Sequence, residues 1–290
     1  MTHVHGARLS GCEPDAIAEG VAGVLADADV EFSGTVVLVP DVHYPYHPST
    51  GTATNPDVVS ALVDHLLGSV AGVDGVEIAR AATAWSDDAS CATFLGYDRL
   101  VDRPDVEYFD PETGPQASRT VSVDDQETVV TAPERLLDRS LLVPTLRRRE
   151  EPTLAAGVDR LAATALGRDP TEFEADSFAA AADPLGAVLD ATYSYVGAPR
   201  RTRAVLASAA PLEVERVAAY LLGLGRAALP AGAADADRPA RVSGIDVHEL
   251  ADELPDESVS DGSPSPLMKS GYRLYTRVTG DRLPPQLMDE

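Results

Sequence analysis

The chain has 290 residues, 44% of them hydrophobic, and its 47 Asp and Glu against 23 Lys and Arg give a formal net charge of −24. This charge argues against a nucleic-acid partner, which needs Lys and Arg to neutralise its phosphates, and the lack of a run of about 18 apolar residues argues against a membrane span. The length suffices for one large α/β domain or two smaller ones, and we predict one domain, soluble and cytoplasmic.

Short apolar runs alternate along the chain with amphipathic segments of helical period, which is the pattern of strands joined by crossover helices. The first helix is expected to begin at Pro14, and residues 35–39 are expected to form a buried strand. A second helix should begin at Pro56, with Thr54 or Asn55 as its N-cap. The predicted fold class is therefore α/β, with a mainly parallel sheet and helices on both faces.

The same alternation continues up to Pro255. Further strands or extended stretches are predicted over residues 76–82, 105–109, 120–130, 140–143, 187–191, 204–207 and 241–243. Further helices are predicted over residues 88–95, 134–137, 153–166, 171–181, 212–224 and 246–254. Residues 1–255 are accordingly assigned to a single large domain, and the acidic, Ser- and Pro-rich residues 256–290 to a linker and a short C-terminal tail.

Three segments are predicted to reach the carboxyl ends of the strands, where ligands usually bind in open α/β sheets. The first, residues 40–48, contains Asp41, His43 and His47. These side chains could bind a divalent metal, the histidines could act as acid and base, or the loop could be structural; we assign no metal, and His43 is the only catalytic candidate. The backbone N–H groups that open the helix at Thr54 could bind an anion or form an ordinary capped end.

The other two segments are rich in arginine. Arg147, Arg148 and Arg149 follow a buried strand, and their guanidinium groups could bind carboxylate or phosphate, or pair with neighbouring glutamates. Residues 190–203 are predicted as a basic loop that starts at Asp190. This loop could complete an anion pocket, or its arginines could pair with acidic residues of the same chain.

The order of motifs over residues 35–255 is similar to that of a known family. The matching stretches are Val39-Pro40-Asp41, Thr54-Asn55-Pro56-Asp57-Val58-Val59, Val143-Pro144-Thr145-Leu146-Arg147-Arg148-Arg149, Leu189-Asp190-Ala191-Thr192 and Ala207-Ser208-Ala209-Ala210-Pro211-Leu212-Glu213-Val214-Glu215. In this order they resemble the domain-of-unknown-function 362 family. The resemblance implies a redox-associated background, because many members carry a ferredoxin-like cluster segment.

Several polar residues of these motifs differ from the family pattern. Val39 and Thr145 stand where the family has lysine, Asp41 where it has asparagine, and Arg149 where it has histidine. Lysine and histidine have adjustable proton affinity, whereas arginine stays charged and mainly binds. If the family's polar residues are catalytic, the resemblance implies that this chain has lost or altered that step.

The acidic excess and the avoidance of lysine predict adaptation to high salt. Lys269 is the only lysine, and a charge of −24 would cause strong self-repulsion in ordinary buffer. In molar salt the Debye length is roughly 3 Å, so carboxylates can cover the surface and hold water at little Coulombic cost. A biased genomic base composition would explain the content of Ala, Gly, Val and Arg, but not this charge by itself.

Together these patterns predict a small anionic ligand bound between the first two segments. The alternative is a non-catalytic scaffold, or a degenerate paralogue of a redox-associated enzyme, that assembles with a protein partner. Cys12 and Cys91 are too few to hold an iron–sulfur cluster from this chain alone, and the sequence leaves open whether another cofactor binds. The predicted ligand-binding residues are Asp41, His43, Thr54, Arg147, Arg148, Arg149 and Asp190.

Overall fold

The computed structural model of the chain describes residues 3–42, 47–79, 92–93, 95–148, 157–224 and 241–254. The strands are β1 His3–Arg8, β2 Gly34–Pro40, β3 Val73–Ile78, β4 Val106–Tyr108, β5 Gln116–Val123, β6 Gln126–Pro133, β7 Ser140–Val143, β8 Thr145–Arg147, β9 Gly186–Tyr195, β10 Pro199–Ser208 and β11 Arg241–Ser243. The α-helices are α1 Pro14–Asp27, α2 Pro56–Ser69, α3 Asp98–Val101, α4 Glu134–Asp138, α5 Val158–Leu166, α6 Glu172–Ala181, α7 Pro211–Leu221 and α8 Val247–Asp252.

One mostly parallel sheet of nine strands organises the fold, in the order β11-β1-β10-β9-β7-β2-β3-β4, with β8 paired to β9. β2 pairs in parallel with β3 and β7, and β9 pairs in parallel with β7 and β8. β10 runs antiparallel to both of its neighbours, β9 and β1. The predicted mainly parallel α/β sheet is therefore confirmed. The edge at which β2, β7, β8 and β9 place their carboxyl ends is called the strand-end edge below.

Helices pack on both faces of this sheet. Along β2, Val36 and Leu38 belong to the buried apolar cluster that contains α1 and α2. Val37 and Val39 point the other way, into the cluster that contains α5, α6 and α7. A strand that is buried on both faces has a continuous apolar sequence, which is why β2 is recognisable without any alternation of polar and apolar residues.

A separate hairpin of β5 and β6 lies outside the main sheet and corrects one prediction. Residues 120–130 were expected to form one extended stretch, which is wrong because the chain reverses at Asp124 and Asp125. Both residues have positive φ, at 48° and 61°, as the two-residue turn of a hairpin requires. Asp tolerates this conformation but signals it more weakly than the usual Asn-Gly or Asp-Gly pair.

The long hairpin of β9 and β10 corrects a second prediction. Residues 190–203 were expected to form a basic loop, but only residues 196–198 connect the two strands, and Asp190 lies within β9. β1 was not predicted at all, although it pairs with β10 and β11.

Some predictions concern residues outside the described ranges. These are the last residues of the strand predicted over 76–82, most of the helix predicted over 88–95, and the first residues of the helix predicted over 153–166. The linker and tail over 256–290 also lie outside, so the proposed division into one domain and a tail stays a prediction.

Candidate functional site

Thr54 ties the ends of two central strands together at the strand-end edge. Its N–H donates to the carbonyl of Asp41 at 2.9 Å, and the N–H of Asp41 donates to the Thr54 hydroxyl oxygen at 2.8 Å. The Thr54 hydroxyl in turn donates to the carbonyl of Val143 at 2.7 Å. Thr54 is fully buried, so this residue fixes the loop after β2 onto the end of β7.

The N-terminus of α2 is capped from within the chain. Asp190 of β9 accepts hydrogen bonds from the Asn55 N–H at 2.6 Å, the Thr192 N–H at 2.9 Å and the Thr192 hydroxyl at 2.7 Å. The Asn55 side chain accepts from the N–H of Asp57 at 3.1 Å. Of the two alternatives for this helix end, the structure therefore supports an ordinary cap. Thr54 and Asp190 both form hydrogen bonds within the protein, and their predicted contacts with a ligand stay a prediction.

Burial and hydrogen bonding act in opposite directions on Asp190. Burial raises the pKa of its carboxyl group, whereas the hydrogen bonds from Asn55 and Thr192 lower it, and the net result is a raised pKa. The carboxyl group is fully buried and lies where β9 passes the start of α2. The hydrogen bond from Asn55 connects β9 to the start of α2, and the two from Thr192 hold the carboxyl group in place.

The first two predicted segments do meet at the strand-end edge. Arg147 at the end of β8 donates from Nε to Oδ2 of Asp41 at 2.8 Å, and its Nη2 lies 3.5 Å from Oδ1. Both side chains are largely buried. Arg148 contacts a different part of the fold, because its guanidinium donates to the carbonyl of Leu222 just after α7. His43 and Arg149 lie outside the described residues.

Arg160 lies next to Asp41 and Arg147 and forms a cluster with them, although it was not among the predicted site residues. Its Nε lies 3.8 Å from Oδ1 of Asp41, and its Nη2 lies 3.2 Å from Oδ2 of Asp159 and 3.6 Å from Oδ1 of Asp169. The side chain is only 6% exposed. Burial alone would lower the pKa of Arg160, but the carboxylates of Asp159 and Asp41 raise it above its ordinary value.

A sequence signal for Arg160 does exist. Residues 158–166 contain one acidic and one basic residue, the adjacent Asp159 and Arg160, in a helix that is otherwise rich in alanine and leucine. A charged pair in such a helix indicates a buried ionic contact rather than a solvated face. Gly157 brings the start of α5 close to β7, because a Cβ there would lie 2.8 Å from Cβ of Leu142.

The guanidinium of Arg160 is incompletely hydrogen-bonded. Within the part of the chain that the structure describes, neither Nε nor Nη1 has an acceptor at hydrogen-bonding distance. A buried donor without an acceptor costs on the order of 1–3 kcal/mol, and more when it is charged. The Nε and Nη1 groups of Arg160 are therefore expected to donate to an acceptor such as water, an ion or a ligand.

Tyr97 lies beneath the cluster and is fully buried. Its hydroxyl is 3.5 Å from the Thr54 carbonyl. Burial, together with the negative charges of Asp190 and Asp41, raises the pKa of Tyr97 well above its ordinary value. The phenol therefore stays protonated and cannot serve as a base at neutral pH.

We expect Tyr97 to stay un-ionised during an alkaline titration of the folded protein. Replacing it in Tyr97→Phe should leave the increase in tyrosinate absorbance unchanged below a pH of about 11, because only the other tyrosines contribute there. The measurement is ultraviolet difference absorbance, with circular dichroism to confirm that the protein is folded at each pH. A smaller absorbance increase in the variant would contradict this assignment.

His47 makes a local structural contact at the start of a short turn. Its Nδ1 accepts a hydrogen bond from the N–H of Ser49 at 3.2 Å, at the start of a 3₁₀ turn over Pro48–Thr50. Gly51, with a φ of 69°, ends this turn against β9, where a Cβ would lie 2.3 Å from the carbonyl carbon of Ser194. Among the residues that the structure describes, no three His, Cys, Asp or Glu side chains are arranged to hold a metal ion.

The arginines of the third segment lie on β10. Arg201 donates from Nε to the sulfur of Cys12 at 3.3 Å, and its Nη2 lies 3.8 Å from Oε1 of Glu13. Arg200 and Arg203 are exposed. Arg201 therefore pairs with an acidic residue of the same chain, which was one of the two alternatives for this segment.

A concave region lies at the opposite end of the sheet from the strand-end edge. This cleft has a volume of about 510 Å³, and its lining includes His3 and His5 of β1, Asp27 at the end of α1 and Asp29 just after it. It is therefore remote from the cluster of Arg147, Arg160 and Asp41 at the strand-end edge.

Comparisons with known proteins leave the geometry as the only guide to function. No protein family model, curated protein or solved structure matches this chain. The resemblance to the domain-of-unknown-function 362 family accordingly stays a prediction. Over the described ranges, none of the helices combines the length and the apolar character that crossing a membrane requires.

Proposed function

We propose that the protein binds a small anionic ligand at the strand-end edge, through Arg160 next to Arg147 and Asp41. The observation that carries this proposal is the Nη1 group of Arg160, which is buried and has no acceptor within the described ranges. Guanidinium N–H groups are strong donors to oxyanions, and the carboxyl ends of strands are the usual ligand position in open α/β sheets.

Two features favour Arg160 over the arginines predicted from the sequence. Arg147 already forms a close ion pair with Asp41, with Nε and Oδ2 2.8 Å apart, and Arg148 donates to the carbonyl of Leu222. Arg160 keeps a looser contact of 3.8 Å with Asp41, and among the described residues no acceptor occupies its Nη1. In this proposal Asp41 and Arg147 hold the guanidinium of Arg160 in position.

We further propose that this binding takes place in the cytoplasm of a salt-accumulating cell, since the charge of −24 is best tolerated there. A ligand that binds in molar salt needs contacts that are shielded from screening ions. The 6% exposure of the Arg160 side chain meets that requirement. The scaffold alternative requires no such buried donor.

The test is thermal unfolding in concentrated KCl while potassium salts of different small anions are titrated in. We expect at least one anion to raise Tm until the effect saturates, by about 3 to 6 °C at ten times its Kd. Arg160→Lys keeps a positive charge beside Asp41 and Asp159 but loses Nη1, so its response should not saturate.

Arg168→Lys is the matched control, because Arg168 is an exposed arginine that follows the same helix and pairs with Glu174. It should respond like the wild-type protein. Equal responses of the wild-type protein, Arg160→Lys and Arg168→Lys to every anion would overturn the proposal and favour a scaffold without a ligand site.

A further inference from the structure

Two imidazole rings come together in the cleft at the end of the sheet opposite the strand-end edge. His3 and His5 lie on the same face of β1, because side chains alternate along a strand and Val4 between them is fully buried. Both rings line the cleft, and their centroids are 6.3 Å apart. The centroids of two imidazoles that bind one tetrahedral ion are roughly 5 Å apart. A small rotation of either side chain, both of which are only partly buried, therefore brings the two rings to one ion.

Hydrogen bonds hold both histidines at the cleft. Oγ of Ser243 on β11 lies 3.0 Å from Nδ1 of His5, and the hydroxyl of Ser208 on β10 donates to the His3 carbonyl at 2.9 Å. Metal-binding histidines usually donate from one ring nitrogen to a neighbouring oxygen, which leaves the other nitrogen as the ligand. When Ser243 accepts the hydrogen bond from Nδ1, Nε2 of His5 carries the lone pair that a metal ion requires.

The rest of the cleft is electronegative. Its lining includes Asp27 at the end of α1, Ala28 as the C-cap of that helix and Asp29 just after it. A helix carries partial negative charge at its carboxyl end, and α1 has no basic residue in its last turn to compensate this charge. Arg241 lies opposite His3 on β11 but does not line the cleft. The cleft therefore favours a cation over an anion.

The two imidazoles determine which kind of cation fits. Zn²⁺, Ni²⁺ and Cu²⁺ accept imidazole ligands, whereas Mg²⁺ and Ca²⁺ prefer oxygen. We propose that His3 and His5 bind a divalent transition-metal ion in this cleft. The described part of the chain offers no set of three His, Cys, Asp or Glu side chains for a metal, so the two imidazoles are the protein ligands and water completes the coordination. Asp27 and Asp29 attract the ion by their charge.

The test is isothermal titration calorimetry of zinc chloride into the wild-type protein, His3→Gln and His5→Gln at one fixed KCl concentration. We expect one zinc ion per wild-type chain. Each variant should bind zinc at least roughly tenfold more weakly, because the loss of even an outer partner of a metal ligand typically costs about 10- to 100-fold in affinity. Cobalt(II), titrated in the same way, gives a second readout through its visible absorption, which changes when imidazole nitrogens replace water ligands.

His65→Gln is the matched control, because His65 is a partly buried histidine on α2 that does not line the cleft. This variant should bind zinc as the wild-type protein does. Magnesium chloride separates coordination by imidazole from simple attraction to carboxylates, and it should give no saturable heat. Near-UV circular dichroism shows whether each variant is folded.

Loss of zinc binding in both His3→Gln and His5→Gln, but not in His65→Gln, would support the proposal. Loss in only one of the two cleft variants would indicate a single histidine that binds zinc by itself, and would overturn the proposal. Zinc binding that persists unchanged in both variants, or no zinc binding by the wild-type protein, would also overturn it. Saturable magnesium binding that survives both substitutions would show that carboxylates alone attract the ion, with the same consequence. None of these outcomes depends on the anion site proposed at the strand-end edge.

Discussion

On dialysis from concentrated KCl into dilute buffer, the protein should lose most of its near-UV ellipticity. With a formal charge of −24, the folded chain concentrates negative charge in a compact volume. The Debye length increases from roughly 3 Å at 1 M salt to about 10 Å at 0.1 M, so repulsion between surface carboxylates then acts across neighbouring elements. Expansion of the chain relieves this repulsion, and tertiary packing is lost.

The measurement is near-UV and far-UV circular dichroism at a series of KCl concentrations, followed by return to high salt. Recovery of the signal on return would show that screening, and not chemical damage, controls the transition. Sucrose, which strengthens burial without screening charge, should restore less of the signal than KCl. Full near-UV ellipticity in dilute buffer would refute the salt-adaptation hypothesis.

Asp190→Ala should destabilise the protein by about 3 to 5 kcal/mol, because three buried donors lose their acceptor together. These donors are the Asn55 N–H, the Thr192 N–H and the Thr192 hydroxyl, at 2.6, 2.9 and 2.7 Å from the carboxylate. Water cannot replace the carboxylate readily, since Asp190 is almost completely buried. Urea unfolding at fixed KCl concentration measures the decrease in the free energy of unfolding without changing the ionic strength.

Asp246→Ala is a matched control for this variant. Asp246 caps α8 and also accepts two backbone N–H groups, from His248 at 2.9 Å and Glu249 at 3.2 Å. These groups are exposed, so water can take the place of the lost carboxylate, and the effect should be much smaller than that of Asp190→Ala. Equal losses in the two variants would show that burial does not amplify the Asp190 contacts.

The main elements of the fold could be predicted because they follow from the local periodicity of apolar residues and from residues, such as proline, that favour the start of a helix. Pro14 and Pro56 each open a helix at the predicted position, and β7 has the predicted bounds, Ser140–Val143. The alternation of strands and helices then leads to a parallel sheet, because parallel neighbours need crossover connections.

Elements that depend on distant partners were less predictable. β1 contains two histidines, an arginine and a glycine, and it becomes a strand through its pairing with β10 and β11. The turn at Asp124 and Asp125 requires positive φ at two residues that rarely form such a turn together. Neither feature has a strong local signal.

The contact between Asp41 and Arg147 could be predicted from the sequence, whereas the contacts of the other residues around it could not. Asp41 and Arg147 meet because β2 and β8 both end at the strand-end edge, as the topology requires. Thr54 and Asp190 bind main-chain groups and Thr192, contacts that the sequence did not indicate, and their contact with a ligand stays a prediction. Arg160 was missed because only the packed fold brings α5 to within 3.8 Å of Asp41.

The antiparallel direction of β10 relative to β9 has an electrostatic consequence for Arg147 and Arg148. Because β10 runs opposite to β9, α7 starts at the far end of the sheet and brings its carboxyl end back to the region of Arg148, which donates to the Leu222 carbonyl. A helix carries partial negative charge at that end, and an arginine there compensates it. Adjacent arginines thus compensate different kinds of negative charge: Arg147 pairs with the full charge of the Asp41 carboxylate, and Arg148 with the partial charge at the end of a helix.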